Sequence, residues 1–212
     1  MEALHPGGRE LTRRLLELAG LPEGCTLLDI GCGDGESLGL LYDEFGLSCC
    51  GLEPDPEHLA AARSAAAGCT VVQGRGEKIP FADSSFGAVL AECSFSLFDP
   101  APKALAEIWR VLQPGGKLLL TDVYAASGCS CCGKGLLRQI RTVEEIKDLL
   151  KRAGFNVLHQ EDCGKVLKWQ LAQLILDYGR EEAYAKLGLD SCTLKKAGTG
   201  YLLLIAEKCN DI

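Results

Sequence analysis

The feature that most constrains this fold is an apolar run that ends in an acid and leads directly into alternating glycines. Residues 26–35 have the sequence Thr-Leu-Leu-Asp-Ile-Gly-Cys-Gly-Asp-Gly, and a helical apolar pattern follows over 36–45. This order predicts a buried strand, a tight turn and a helix, with a backbone bare enough for a cofactor to lie against it. The spacing is G-x-G-x-G, and Glu36 stands where a dinucleotide fingerprint requires its third glycine.

A second strand-end acid narrows the kind of ligand that the glycine loop can hold. Glu53 ends the next apolar run, where its carboxylate could accept hydrogen bonds from both ribose hydroxyls of an adenosine. Because no Lys or Arg accompanies the glycine loop, a nucleoside held without phosphates is favoured. A nicotinamide dehydrogenase is disfavoured by Glu36 and by the absence of a catalytic Lys, His or Tyr constellation.

Strand and helix patterns alternate along the chain. Helices are predicted over 9–19, 36–45, 56–67, 101–112 and 142–153. Strands are predicted over 25–30, 48–53, 69–73, 86–92, 116–122, 155–160 and 200–207. Pro114-Gly115-Gly116 predicts a turn that ends the fourth helix and starts a strand. This alternation predicts a doubly wound α/β fold with a parallel sheet. We found no internal repeat or linker, so residues 1–212 are expected to form a single domain.

Three of these segments also carry a family resemblance. Residues 27–35, 50–55 and 112–122 resemble the class I methyltransferases that use S-adenosylmethionine. The resemblance covers roughly residues 10–160 and implies a Rossmann-like, mostly parallel sheet of seven strands. The implied strand order is 3-2-1-4-5-7-6, with the last strand antiparallel.

The resemblance also implies which residues bind S-adenosylmethionine. In that family the glycine loop packs against the methionine part, and the acid at 53 binds the ribose. Residues 73–81 resemble the adenine-binding stretch, although Arg75 replaces the expected Asp and leaves backbone groups to contact the ring. Asp29 is expected to orient the loop backbone or the methionine amine. The cofactor-binding candidates are Asp29, Gly31, Gly33, Gly35, Glu53, Gly76, Glu77 and Glu92.

Two polar residues at predicted strand ends, Glu92 and Tyr124, are the catalytic candidates. Oxygen or nitrogen acceptors require a nearby base, whereas a thiolate or thiol-bound arsenic does not. Glu92 fits a cofactor contact equally well, and Tyr124 also fits a role as a wall of the site. His5 precedes the turn Pro6-Gly7-Gly8, which could fold over the cofactor.

About forty residues separate the last two predicted strands, where a plain hairpin is usual for the family. Apolar residues recur at helical spacing from Val166 to Tyr178, and a shorter helix is predicted over 180–187. Because the preceding strand ends at the carboxyl edge of the sheet, residues 163–198 are interpreted as a helical cap beside the active site. The alternative is a helix that packs on the sheet only for stability.

Six of the twelve cysteines are expected at the carboxyl edge of the sheet. They are Cys93, Cys129, Cys131, Cys132, Cys163 and Cys192. The other six are interpreted as small buried apolar residues or inert thiols, and reduced thiols are expected throughout. They are Cys25, Cys32, Cys49, Cys50, Cys69 and Cys209.

A narrower resemblance involves some of the edge cysteines. Residues 92–99, 105–112 and 121–125 are similar to the arsenite methyltransferases. That resemblance implies Cys93 and Cys131, with the adjacent Cys132, as substrate ligands, and trivalent arsenic prefers clustered thiolates. A tetrahedral zinc site, redox-active thiols and bystander thiols remain alternatives. No resident metal is predicted.

Together these patterns predict an S-adenosylmethionine-dependent methyltransferase that acts on a small molecule, including a metalloid such as arsenite held by cysteines. The alternative is a protein that binds this cofactor or a soft metal on the same scaffold without turnover. A net charge of −7 argues against a nucleic-acid partner. The absence of a bilayer-length apolar run or a signal-peptide core favours a cytoplasmic protein without membrane association. The acceptor and the oligomeric state stay open.

Overall fold

Strands and helices alternate along the computed structural model, which describes residues 5–128, 130, 138–186 and 198–209. The strands are β1 (Thr26–Ile30), β2 (Ser48–Glu53), β3 (Thr70–Gln73), β4 (Phe86–Glu92), β5 (Leu112–Ala125), β6 (Phe155–Asp162) and β7 (Thr199–Lys208). The helices are α1 (Gly8–Ala19), α2 (Glu36–Phe45), α3 (Pro56–Ala65), α4 (Ala101–Val111), α5 (Val143–Arg152), α6 (Gly164–Tyr178) and α7 (Arg180–Lys186).

The strands form one seven-stranded sheet in the order β3-β2-β1-β4-β5-β7-β6. Neighbouring strands from β3 to β5 pair in parallel, while β7 runs antiparallel to both β5 and β6. The predicted strand order and the antiparallel last strand are confirmed. This order brings the carboxyl ends of β1, β2 and β4 to one edge of the sheet.

Local capping explains where two of the helices begin. The Asp55 side chain accepts hydrogen bonds from the backbone N–H groups of Glu57 and His58, and Pro56 occupies the first turn of α3. Thr142 and Glu145 form a capping box at the start of α5. Side chains with free carboxylates and hydroxyls therefore satisfy backbone donors that an isolated helix leaves unpaired.

The turn predicted at Pro114-Gly115-Gly116 lies inside β5 rather than before it. Phe86 pairs with Leu112, and the ladder resumes with Ala88 opposite Lys117, so the strand bulges between these two points. Gly115 has φ of 71°, which supplies the left-handed step that such a bulge requires. The predicted start of this strand at residue 116 was therefore four residues late.

Two apolar layers cover the faces of the sheet. Helices α1, α2, α3 and α6 contribute to the first layer, with Leu15 and Leu38 fully buried. Helices α4 and α5 contribute to the second, with Ile108 and Leu150 fully buried. Helices on both faces bury the central strands β1, β4 and β7, which explains their continuous apolar runs.

The insertion before β7 is helical, as predicted. Leu167 of α6 is buried in the first apolar layer, and Val166 lies against Gly7 at the start of α1. The predicted range 163–198 extends beyond α7 into 187–197, which lie outside the described residues. None of the helices in the described ranges combines the length and apolarity needed to cross a bilayer.

Candidate active site

The glycine loop between β1 and α2 bends through left-handed backbone conformations. The φ values of Gly31, Gly33 and Gly35 are 77°, 52° and 83°, a region that side chains disfavour. At Gly33 a Cβ would meet nothing within 4 Å, so this part of the backbone faces open space. The loop therefore presents bare peptide groups at the edge of the sheet.

Glu53, at the end of β2, holds this loop. Its Oε2 accepts a hydrogen bond from the Gly33 N–H at 2.9 Å, and its Oε1 accepts one from the Asp55 N–H at 2.9 Å. The side chain is 5% exposed. Because a carboxylate offers about four acceptor positions, Glu53 keeps capacity for two further donors.

Three carboxylates are buried at the ends of three neighbouring strands. Asp29, Glu53 and Glu92 belong to β1, β2 and β4, and none is more than 8% exposed. Burial, reinforced by the charges of Glu92 and Glu53, raises the pKa of Asp29 well above its ordinary value. A cationic ligand would relieve this repulsion, so the cluster is suited to positive charge.

Glu92 is held in place by hydroxyl groups from two helices. Its Oε1 accepts a hydrogen bond from Thr12 of α1 at 2.9 Å, and its Oε2 accepts one from Ser37 of α2 at 2.7 Å. His5 also lies beside it, with Nε2 3.8 Å from Oε2. The predicted turn at Pro6-Gly7-Gly8 thus brings the N-terminal segment to this edge.

The structure does not bring the two predicted catalytic residues together. Glu92 lies on the α1 and α2 face, whereas Tyr124 packs with the layer formed by α4 and α5. The Tyr124 ring lies over Gly200, where it leaves no room for a Cβ. Burial and the neighbouring Asp162 raise the pKa of Tyr124. Glu92 pairs with Thr121 of β5, and Tyr124 lies three residues further along that strand. Because consecutive strand residues alternate between faces, Glu92 and Tyr124 lie on opposite faces of the sheet.

The predicted adenine segment begins beside the Glu53 backbone. The Gly74 N–H donates to the Glu53 carbonyl at 3.2 Å, which ties the segment to the end of β2. Gly76 lies under the ring of Phe98, and Glu77 accepts a hydrogen bond from the Asp99 N–H at 2.7 Å. Gly76 and Glu77 therefore lie on the segment that follows β3 and begins beside Glu53.

Cys93 begins directly after β4 and has φ of 50°, a strained value for a residue with a side chain. Its Sγ lies 3.0 Å from the Oη of Tyr201, which donates in turn to Thr121 Oγ1 at 3.2 Å. Burial raises the pKa of Cys93 well above its ordinary value, so the group is a thiol. The other two predicted substrate cysteines, Cys131 and Cys132, lie outside the described residues.

The interpretation of Cys25, Cys32 and Cys49 as buried apolar residues agrees with their burial. Within the described ranges, no three His, Cys, Asp or Glu side chains are arranged to hold a metal ion. Cys93 and Cys163 directly follow the carboxyl ends of β4 and β6, at the edge of the sheet where they were expected.

Several residues at the edge carried no signal in the sequence. Thr12 and Ser37 occur inside helical patterns, and Tyr201 occurs inside an apolar strand, where packing alone explains them. Ser94 is 5% exposed, and its Oγ meets no hydrogen-bond partner among the described residues. A Cβ on Gly31 would lie 3.7 Å from that oxygen, so Ser94 borders the glycine loop.

Comparison with known proteins agrees with this geometry. Residues 28–120 match the profile of a family described as a methyltransferase domain. The O-methyltransferase resE of Aspergillus sclerotiorum is 26% identical over 227 aligned positions, which cover 98% of this chain and 84% of that protein. The profile match and this relative support a class I S-adenosylmethionine-dependent methyltransferase. The chain spans only 51% and 61% of two other relatives, from Haemophilus influenzae and Synechocystis, that are 33% and 31% identical.

Two solved structures share the methyltransferase fold across nearly the whole chain. The [4+2]-cyclase SpnF has a TM-score of 0.77 at 26% identity, covering 94% of this chain and 80% of that one. Phosphoethanolamine N-methyltransferase 2 of Haemonchus contortus, in complex with phosphomonomethylethanolamine and S-adenosylhomocysteine, has a TM-score of 0.79 at 22% identity. It covers 99% of this chain and 55% of that one. At that identity the second likeness shows the fold alone.

The residues of the candidate site fit S-adenosylmethionine. The open backbone at Gly33 leaves room for a ligand, and the buried Ser94 Oγ at Gly31 awaits a partner. The three buried carboxylates match the positive charges of the sulfonium and the methionine ammonium. The hydrogen-bonding groups, the open space and the charge of the site therefore all fit this cofactor.

A pH-dependent contact connects the glycine loop to α3. His58 Nδ1 lies 2.6 Å from Asp34 Oδ1, and this hydrogen bond raises the pKa of His58. The stabilisation is fully present below about pH 6.5, the ordinary pKa of histidine, and is lost as the pH rises through the raised pKa. We expect His58→Gln to destabilise the protein at pH 5.5 by a few tenths of a kcal/mol, since the pair is solvent-screened. Urea unfolding should show that the same substitution lowers the free energy of unfolding less at pH 9 than at pH 5.5.

The matched control for this contact is Asp34→Asn, which should remove the same pH-dependent difference. A loss of stability in His58→Gln that is equal at both pH values would contradict the assignment.

Proposed function

We propose that this enzyme transfers the methyl group of S-adenosylmethionine to a small-molecule acceptor at the carboxyl edge of its sheet. The observation that carries the proposal is the bare glycine loop surrounded by three buried carboxylates, Asp29, Glu53 and Glu92. This arrangement favours a cationic nucleoside and disfavours a phosphorylated one, since phosphates would meet like charge.

The cofactor carries a methyl group on a positively charged sulfur, and that carbon is already electrophilic. The protein's task is therefore to align the acceptor with it and to exclude water. We assign Glu53 to the ribose hydroxyls, because its carboxylate has unused acceptor positions. Asp29 and Glu92 would face the cationic methionine part, and the glycine loop would lie against it. The backbone of Gly76 and Glu77 would contact the adenine.

A small acceptor is supported by charge and by the helices around the edge. The net charge of −7 opposes binding of a nucleic acid. Gln170 of α6 donates to the His5 carbonyl at 3.5 Å, so the cap and the N-terminal turn contact each other beside Glu92. We propose that residues 163–198 form one wall of the acceptor site within a single domain spanning 1–212, and that Tyr124 has no role as a base.

A metalloid acceptor such as arsenite is the narrower version of this proposal. It is supported by the position of Cys93 directly after β4, beside Glu92. Its ligands would be Cys93, Cys131 and Cys132, and each arsenic–sulfur bond would form as a thiol proton and an arsenite hydroxyl leave together as water. The raised pKa of Cys93 lowers its thiolate fraction and would slow this step, which favours an acceptor of another kind.

The test is turnover of labelled S-adenosylmethionine with a panel of phenols, small carboxylic acids, thiols and arsenite. We expect S-adenosylhomocysteine to form together with a labelled product from one class of acceptor. Isothermal calorimetry with S-adenosylmethionine and S-adenosylhomocysteine accompanies the assay. Absence of binding heat for both would contradict the proposal. Binding without turnover across the panel would instead favour a cofactor-binding scaffold, and loss of arsenite turnover in Cys93→Ser would support the metalloid version.

A further inference from the structure

A histidine of the N-terminal turn lies against Glu92 with one ring nitrogen unused. The Nε2 of His5 is 3.8 Å from the Oε2 of Glu92, and its side chain is 14% exposed. Its Nδ1 is buried and meets no hydrogen-bond partner within the part of the chain that the structure describes. Buried polar atoms in native proteins almost always have a partner, so this nitrogen indicates a ligand atom.

Both members of the pair are held by other elements. The His5 carbonyl accepts hydrogen bonds from the Gly8 N–H at 3.1 Å and from Gln170 of α6 at 3.5 Å. The Glu92 carboxylate is fixed by the hydroxyls of Thr12 and Ser37. The His5 backbone and the Glu92 carboxylate are therefore held in place before any ligand binds, which limits where the imidazole can lie.

The carboxylate determines which nitrogen of His5 carries the proton. Oε2 of Glu92 lies 3.8 Å from Nε2, beyond hydrogen-bond length, and the negative charge on that side of the neutral ring favours the proton on Nε2. Nδ1 then keeps its lone pair. A carboxylate that orients one nitrogen while the other acts as a base is the arrangement found in hydrolase triads.

We propose that His5 is the general base of the methyl transfer and that the acceptor is a neutral hydroxyl compound of the phenol or enol type. The inference rests on the proposed function, because it concerns the same site. Carboxylic acids are ionised before they bind and would leave His5 no proton to remove. Aliphatic alcohols are too weakly acidic for an imidazole, whereas a phenol, with a pKa of about 10, lies within a few units of it.

The proposed step balances without a further reactant. The hydroxyl oxygen forms the new carbon–oxygen bond while the carbon–sulfur bond of the donor breaks and leaves its electron pair on sulfur. The hydroxyl proton moves to Nδ1 of His5, and the resulting imidazolium later releases that proton to water.

The first test determines by 15N NMR which ring nitrogen of His5 carries the proton in the cofactor-free protein. The chain has three histidines, so the 15N ring signals of His5 are identified by their loss in His5→Asn. At pH 8 we expect nitrogen shifts that place the proton on Nε2, and Glu92→Gln should weaken that preference. A proton on Nδ1 in the wild-type protein would overturn the proposal.

The second test compares unsubstituted phenol with a nitrophenol that is ionised at the assay pH. We expect His5→Asn to lose about 10²- to 10⁴-fold in kcat/KM with phenol, because the base is removed. The nitrophenol has no proton to lose, so its kcat/KM should change by less than about threefold. Added imidazole should partly restore phenol turnover in His5→Ala.

His159→Asn is the matched control, because His159 lies on β6, pairs with Glu161 at 2.8 Å and stands apart from the candidate site. It should leave kcat/KM unchanged for both phenols. Calorimetry with S-adenosylhomocysteine should confirm that His5→Asn still binds the cofactor product.

The outcomes separate this inference from the proposed function. Equal losses with both phenols would show that His5 serves packing and would overturn the inference. Wild-type turnover of thiols or arsenite, but of neither phenol, would overturn it and leave the proposed function standing. Cofactor binding without turnover of any acceptor in the panel would refute the proposed function and the inference with it.

Discussion

Replacing Glu53 with Ala is expected to weaken S-adenosylhomocysteine binding at least about 100-fold. The carboxylate fixes the Gly33 N–H at 2.9 Å and, in the proposed complex, accepts hydrogen bonds from the ribose hydroxyls. Each charge-assisted hydrogen bond contributes about 1.5–3 kcal/mol, and 1.4 kcal/mol corresponds to a tenfold change in affinity. Isothermal calorimetry with S-adenosylhomocysteine measures the effect directly.

The control for this substitution is Glu57→Ala, which removes an exposed carboxylate from the first turn of α3. It should leave the affinity nearly unchanged. If the Glu53→Ala protein is folded and its affinity for S-adenosylhomocysteine lies within about threefold of the wild type, Glu53 does not bind the cofactor.

Gly35→Ala is expected to destabilise the protein by about 2–4 kcal/mol and to weaken cofactor binding. Gly35 has φ of 83°, which costs a side-chain-bearing residue about 1–2 kcal/mol. The added Cβ would also lie 3.0 Å from the Cα of Ala62, and the backbone of α3 cannot move away cheaply. Thermal unfolding followed by circular dichroism should show a midpoint lower by roughly 5–15 °C.

Gly39→Ala provides the matched comparison within the adjoining helix. A Cβ at Gly39 would meet nothing within 4 Å, and the residue lies in the interior of α2. Because alanine is favoured over glycine in helices, this variant should gain about 0.5–1 kcal/mol in stability. Equal stability of the two variants would contradict the packing argument at Gly35.

The likeness to a [4+2]-cyclase indicates that the fold alone does not determine the reaction. SpnF shares this fold at 26% identity, and the chemistry for which it is named is ring formation. A fold accommodates unrelated reactions because the reacting groups lie at the edge of the sheet, outside the core. For this reason the acceptor must be established by the turnover panel and by the variants of His5.

Much of the fold was predictable because its signals are local. The run that ends in Asp29, the glycines of the following loop and the acid at Glu53 each follow from neighbours in the sequence. Strand and helix periods predicted the alternation, and the structure confirms it. The bulge after Leu112 was missed, because pairing across it depends on Phe86, a residue of another strand.

The candidate site depended on contacts between residues far apart in the chain. Thr12 and Glu92 are 80 positions apart, and Tyr201 lies 108 positions from Cys93. No local pattern distinguishes Thr12 or Ser37 from ordinary helix residues, so their hydrogen bonds to Glu92 could not be foreseen. The placement of Glu92 and Tyr124 on opposite faces likewise follows from the register of the assembled sheet.

Local sequence patterns were sufficient for the elements, the glycine loop and the strand-end acids, because backbone conformation and apolar periodicity act over a few residues. Only tertiary packing decided that His5 meets Glu92, that the helical insertion touches the N-terminal turn, and that Asp29 is buried among like charges. Those outcomes depend on burial and on distances between separate elements, and such distances exist only once the sheet and its helices have assembled.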